Sequence, residues 1–378
     1  MTFDIVFNRP WCAPRTAEYV NRAFENGQTA GNGPFSRECA EFIARAMGAP
    51  RVLMTPSCTD ALEMAALLLD IHAGDEIIVP TYTFVSTANA FVLQGARPVF
   101  VDVRPDTLNM DERLVEAAIT PRTRAIVVVH YAGVACDMDA VGAIARRHGI
   151  PIVEDNAHGL FARYRGRMLG TFGCLAAQSF HETKNYSCGE GGALVINDET
   201  LIDRAEIIHE KGTDRRQFFR GVVDKYTWRD IGSSFVLSDL LAACLAAQFA
   251  AASTIRENRQ AIWTRYAAEL AGWARSEGVQ TPYVPAECEQ PFHMFYLTMR
   301  TAAARDALIE HLAGHSILAV SHYQPLHLSR MGQRFGGRAG THPVSESVSQ
   351  RLVRLPFHAG LSASDQGRVI HAVSQFRT

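Results

Sequence analysis

The sequence predicts an α/β protein built on a mostly parallel sheet, doubly wound by helices. From Arg51 to about Ile196, short β-branched runs alternate with helical patterns, as repeated strand-helix units require. Several runs, AIVVVH and IPIVED among them, are apolar on both faces, which is expected of strands covered by helices on either side. After about Ala246 the alternation gives way to long helical stretches. The expected division is therefore a large domain over 1–245 and a smaller C-terminal α+β domain over 246–378.

In chain order, the strand signals run from Arg51 to Met54, Glu76 to Pro80, Pro98 to Asp102, Ala125 to His130, Ile150 to Glu154, Ala176 to Phe180 and Gly192 to Ile196. Between them, Cys58 to Asp70 reads as a helix launched by Thr-Pro-Ser. Met138 to His148 is amphipathic and stops at Gly149. A run rich in Pro and His spans Pro282 to His327, and a last helical segment follows Ser362. No internal repeat or low-complexity tract interrupts the pattern.

A chain of 378 residues with 47% hydrophobic and 20% charged residues has the composition of a soluble globular enzyme. Its formal net charge of −2 gives no general footprint for nucleic acid or an anionic membrane, so neither is an expected partner. The eight cysteines are scattered without a Cys-x-x-Cys pair, and the opening MTFDIVFNRP lacks a basic segment followed by an apolar stretch. Free thiols in a cytoplasmic protein are expected. No apolar run approaches the roughly 18 residues that span a bilayer.

Of 37 basic residues only Lys184, Lys211 and Lys225 are lysines, so any lysine chemistry must use one of three positions. Lys184 lies in Ser179-Phe-His-Glu-Thr-Lys184-Asn, just past a strand and before the cluster Gly189-Glu-Gly-Gly192, where open α/β sheets bind ligands. A solvated loop lysine is the bland alternative. Asp155 stands at the carboxyl end of another strand, in Val153-Glu-Asp155-Asn-Ala-His158. A carboxylate there could hold a proton on a heteroaromatic ring nitrogen by opposite charge, or simply cap the next helix. Ser57, Cys58 and Thr59 follow a strand at a helix start, which suits a phosphate as well as an ordinary cap. Cys58 reads as a small turn residue and not as a nucleophile. Phe84, in PTYTFVSTAN, is either a ring that stacks on a flat cofactor or a core residue.

The ordered set TPSCT, PTYTFVSTANAF, VFVDVRPDTLN, VVVHYAGVACDMD, VEDNAHG, SFHETKN and GEGG resembles the DegT/DnrJ/EryC1/StrS sugar aminotransferases over nearly the whole chain. The segment KGTDRRQFFRGVVDKYTWRDIGSS is similar to that of members acting at C4 of a dTDP-linked keto sugar. The resemblance implies a fold-type I transferase dependent on pyridoxal 5'-phosphate, with Lys184 as Schiff-base lysine, Asp155 on the pyridinium nitrogen and Phe84 over the ring. Ser57, Cys58, Thr59 and Ser179 would hold the phosphate. Two positions depart from the family pattern. His158 stands where many members carry Gln near the ring oxygen, and Ser233-Ser234 replace an Asn often given to the phosphate by a neighbouring subunit, which leaves Ser234 as the candidate contact. The implied reaction is transamination of dTDP-4-keto-6-deoxyglucose at C4, with glutamate as donor and a galacto or gluco product, in a homodimer with shared active sites.

The alternatives are a 3-aminotransferase, a non-catalytic homologue, and a dehydratase of the same fold; the last has His at the lysine position, which Lys184 opposes. His311, His315, His322 and His327 are spaced by four, seven and five residues, with one helical i, i+4 pair and no acidic or cysteine cluster beside them. No metal site is expected from them. The resemblance places His322-Tyr323 and His327 at the small domain's approach to the active site.

Overall fold

Seven strands form the central sheet: β1 (Arg51–Thr55), β2 (Glu76–Pro80), β3 (Arg97–Val101), β4 (Thr123–Val129), β5 (Ile152–Asp155), β6 (Leu175–Ser179) and β7 (Gly192–Ile196). The structure is a computed structural model and describes residues 3–377. The spatial order is β1-β7-β6-β5-β4-β2-β3. Every strand expected from the sequence is present, Glu76–Pro80 and Gly192–Ile196 with the expected ends and the other five with ends shifted by one or two residues. All neighbours run parallel except at β7, which is antiparallel to both β6 and β1. The carboxyl ends of the other six strands therefore gather at one edge of the sheet. β7 starts at that same edge, where Gly192 is in register with both Thr55 and Ser179.

Successive strand residues face opposite sides, and each side has its own helices. Val52, Met54, Ala176, Ala193 and Val195 pack with helices Pro34–Met47 and Asp239–Ala250. Leu53, Val127, Val153, Leu175 and Leu194 pack with helix Cys58–Leu68. The two-sided burial explains why these strands read as continuous apolar runs. Helix Met138–His148 ends at Gly149 in the left-handed conformation, as its sequence predicts.

A separate core lies toward the C-terminus, where helices Ala252–Glu277, Ala302–Gly314 and Ala363–Gln375 enclose the antiparallel pair Tyr296–Thr298 and Leu352–Arg354. The expected division between residues 245 and 246 falls inside helix Asp239–Ala250, and both sides of that point pack in the same cluster. The cores part instead within the helix Ala252–Glu277. Ile255 belongs to the first, and Ile262, Tyr266 and Leu270 to the second. Its 26 residues leave no linker at which the chain would separate.

The N-terminal segment also crosses over. Ile5 is buried in the C-terminal core and bridges Ile317, while Phe357 N–H donates to the Phe7 carbonyl. Among the described residues no helix is long and apolar enough to cross a membrane.

Candidate active site

The carboxyl edge of the sheet opens into a cavity of about 480 Å³ between the two cores. Each wall residue is delivered by the element before it. The turn after β1 brings Ser57, Cys58 and Thr59, the loop after β2 brings Thr83, Phe84 and Ser86, β5 ends on Asp155, and β6 ends on Ser179 and leads to Lys184. The C-terminal half adds His293, His322, Tyr323, Arg354 and Phe357, and the N-terminal segment adds Phe7 and Asn8.

Strand alternation divides the acidic pair on β5. Glu154 points away from the cavity, fully buried, and accepts from the His130 ring and from the N–H groups of Gly170, Phe172 and Gly173 at 2.6–2.9 Å. Asp155 faces the cavity. Thr87 Oγ1 donates to its Oδ2 at 2.7 Å, and the N–H of Ala157 donates to Oδ1 at 3.2 Å. Thr83 Oγ1 stands 2.8 Å from Thr87 Oγ1. Because the Thr87 proton is committed to the carboxylate, Thr83 must be the donor in that contact.

Lys184 has no carboxylate within 4 Å among the described residues. Burial pushes its pKa down, partly countered by Cys58 and Asp155. The neutral amine is thereby made more accessible. The Cys58 thiol is pushed well up by burial and then by Asp155, so it is held as an unreactive thiol.

Helix Cys58–Leu68 starts at the cavity wall with Ser57 as its cap. The Ser57 hydroxyl accepts from Asp60 N–H and donates to Asp60 Oδ2 at 2.7 Å, while Thr59 Oγ1 donates to Ser86 Oγ. The sequence offered both hydroxyls as phosphate donors, and the structure engages both within the protein. What stays open is the pair of first-turn N–H groups of Cys58 and Thr59, which have no intrahelical acceptor and find no other among the described residues. Ser179 Oγ accepts from His181 N–H, which leaves its own proton free to donate. Gly192 makes the cradle possible, since a Cβ there would collide with the Ser57 carbonyl and the Cys58 nitrogen. Open N–H groups at a helix start, a carboxylate facing the cavity and an unpaired lysine form the donor set that pyridoxal phosphate requires.

His158 is buried and stacks on His293 with ring centroids 4.2 Å apart. Its Nδ1 accepts from Ala132 N–H, so the neutral ring carries its proton on Nε2, 3.4 Å from the Tyr323 hydroxyl. Burial, then nearby cations or histidines, holds His158, His293 and His322 well below the usual imidazole range. His293 arrives on a strained loop. Phe292 has φ of +54°, and the buried Arg259 guanidinium donates to the carbonyls of Phe292 and His293.

Lys184, Asp155, Phe84, His158, Ser179, Ser57, Cys58 and Thr59 thus converge on one cavity. Ser234 does not. It is exposed and bridges Glu210, away from this wall. His327 also stays outside, holding Thr81 at 2.7 Å and Glu346 at 3.0 Å. His311 and His315 face each other on their own helix. Sequence reading passed over Thr87, His293 and Arg354. For Arg354 the available signal was a charge inside the apolar run RLVRLPF.

The chain resembles known proteins over nearly its whole length. Residues 12–374 fit the model of the DegT/DnrJ/EryC1/StrS aminotransferase family. Over 375 residues, 97% of this chain and 95% of the relative, the chain is 32% identical to the spore coat polysaccharide biosynthesis protein SpsC of Bacillus subtilis (strain 168). Among solved structures, DesV of S. venezuelae in complex with a ketimine intermediate superposes with TM-score 0.88 at 33% identity, covering 96% of this chain and 95% of that one. Spr1654 of Streptococcus pneumoniae in its PLP-form gives TM-score 0.89 at 25% identity, with 97% of each chain covered. With its parallel sheet, its single cavity lysine and the match across both cores, the chain belongs to the DegT/DnrJ/EryC1/StrS aminotransferase family, as a pyridoxal-phosphate-dependent sugar aminotransferase of fold type I.

Proposed function

We propose that this aminotransferase moves the amino group of glutamate to C4 of dTDP-4-keto-6-deoxyglucose, giving a dTDP-4-amino-4,6-dideoxyhexose for glycoconjugate or natural-product synthesis. The observation that carries the catalytic part is Lys184, unpaired and held toward its neutral form in the same cavity as Asp155. The choice of C4 is supported by the likeness of residues 211–234 to members acting there.

Bound in this cavity, pyridoxal phosphate supplies an aldehyde that takes up amines and a protonated ring that draws electrons from the adjoining carbon. Lys184 Nζ removes the proton from the donor's α-carbon in the first half-reaction and delivers one to the sugar carbon in the second. Asp155, oriented by Thr87 and Ala157, holds the proton on the ring nitrogen. Cys58 and Thr59 N–H and the Ser179 hydroxyl would hold the phosphate, and Phe84 would pack on the ring. His158, neutral and proton-bearing on Nε2, would offer the ring a neutral donor.

The reading includes a homodimer with shared sites. Phe219, Val222, Tyr226, Trp228 and Ile231 are exposed in one segment that leads directly to Ser234. An apolar surface of that kind favours a second copy, and Ser234 reaches a cofactor only if that cofactor sits in the other subunit. Eight free cysteines support a cytoplasmic setting.

The test is product NMR after incubation with dTDP-4-keto-6-deoxyglucose and glutamate. A 4-amino sugar is expected, its ring couplings reporting the galacto or gluco configuration, and a 3-amino sugar or no turnover overturns the assignment. Sedimentation showing only monomer at micromolar concentration overturns the shared-site part.

A further inference from the structure

The cavity contains one charge that its own chemistry does not balance. Lys184 and Asp155 offset each other, Glu190 at the rim stands 3.6 Å from the His181 ring, and burial holds the other three histidines of the wall, His158, His293 and His322, toward their neutral form. Arg354 remains, at the end of strand Leu352–Arg354, with its backbone tied to Val320 and its guanidinium carbon 4.4 Å from the centre of the Phe7 ring. Its Nε is buried and has no hydrogen-bond partner. Two other arginines have a buried Nε without a hydrogen bond, but each stands near a carboxylate, Arg51 with Glu206 and Arg305 with Asp306. Buried Arg259 spends its donors on two carbonyls. Among the described residues Arg354 has neither a carboxylate nor a carbonyl.

An arginine does not discard its charge, so a buried guanidinium facing empty space is costly unless something anionic arrives. We propose that Arg354 is the anchor for the carboxylate of the amino-acid donor, gripping it through the two-pronged face of the guanidinium. The donor is preferred to the nucleotide sugar for a geometric reason. The donor's carboxylate is bonded to the very carbon whose proton Lys184 removes, so its anchor must share the cavity with Lys184, as Arg354 does. The phosphates of a nucleotide sugar lie several bonds from the reacting carbon. Stacking on Phe7 fixes the plane of the fork, and a fixed plane suits a planar carboxylate.

The inference rests on the amino-acid donor of the proposed reaction but not on which sugar is aminated. It is tested in the first half-reaction, which needs no sugar. Arg354→Gln should raise the glutamate concentration for half-maximal loss of the cofactor's aldehyde-form absorbance by at least thirtyfold. The return half-reaction, from pyridoxamine-loaded enzyme and keto sugar, should change less than threefold. Arg354→Lys should fall between, because it keeps the charge and loses the fork. Calorimetric binding of glutarate to the cofactor-loaded protein should be seen in the wild type and lost in Arg354→Gln. Unchanged glutamate dependence, equal glutarate binding by both proteins, or a defect confined to the sugar half-reaction each overturns the proposal. The last outcome would assign Arg354 to an anionic group on the sugar nucleotide.

Discussion

Asp155 owes its orientation to a hydroxyl relay, Thr83 to Thr87 to carboxylate, and Lys184 is pushed toward its neutral form by burial, with Cys58 and Asp155 only partly countering it. Replacing Thr87 by Val should leave the fold intact and lower kcat by about ten- to a hundredfold, since one hydrogen bond to a charged group is worth about 1.5–3 kcal/mol. Thr87→Ser should restore most of it, and equal loss in both variants would show that the hydroxyl is not what matters. Lys184→Ala should abolish turnover and the visible absorbance of the bound cofactor, whereas Lys211→Ala and Lys225→Ala should keep that absorbance. The same residues show how far a sequence can be read. Lys184 and Asp155 were legible because reactive side chains directly past apolar strands have few places to go. Arg354 and His293 were not, because their meeting with the sheet is decided by how the C-terminal core docks. Nor did the sequence reveal that Ser57 and Thr59 would spend their hydroxyls on Asp60 and Ser86.

At the level of elements, β5 performs two tasks with adjacent residues. Asp155 serves the cavity, while Glu154 clasps the turn at residues 170–173 beneath the start of β6. Glu154→Ala would strand three backbone donors in the interior, and an unfolding free energy lower by about 3 kcal/mol is expected in urea titrations. Undiminished stability would mean that water or another group replaces the carboxylate at no cost. All seven strands could be placed from short apolar runs, most of them β-branched, although Leu175–Ser179 has no β-branched residue, since burial on both faces leaves a strong mark. The helices Thr16–Glu25 and Pro34–Met47 escaped notice. The first turns only Tyr19 and Ala23 fully inward, too slight a stripe to stand out, whereas the second buries Phe35, Cys39, Ile43 and Met47 at i, i+4 spacing between a Pro34 start and a Gly48 stop, a signal that was available.

Across the whole molecule, burial keeps several histidines neutral: His158, His293 and His322 at the cavity, and His209 pushed down to about 3. The unfolded chain takes up these protons as pH falls through about 6.5, while the folded protein does not. Unfolded molecules then bind more protons, so stability is full above that pH and declines below it, by up to about 1.4 kcal/mol per pH unit for each such residue. Urea midpoints measured from pH 7 to pH 5 should fall steadily, and less steeply in His209→Gln; a level profile would contradict the neutral assignments. A change of pattern near Ala246 can be read in the sequence, whereas the passage from one core to the other lies along the continuous helix Ala252–Glu277, which carries no break to mark it. The strap at Ile5 to Asn8 was equally hidden, and it has a consequence in time. Phe7 stacks on Arg354 and is bonded to Phe357, so this part of the cavity is synthesised long before the segment that holds it in place. Contacts so distant along the chain must close a long loop before they form. This side of the pocket is therefore completed only when the two ends of the sequence meet, and a chain with a finished sheet but an undocked C-terminal core still lacks it.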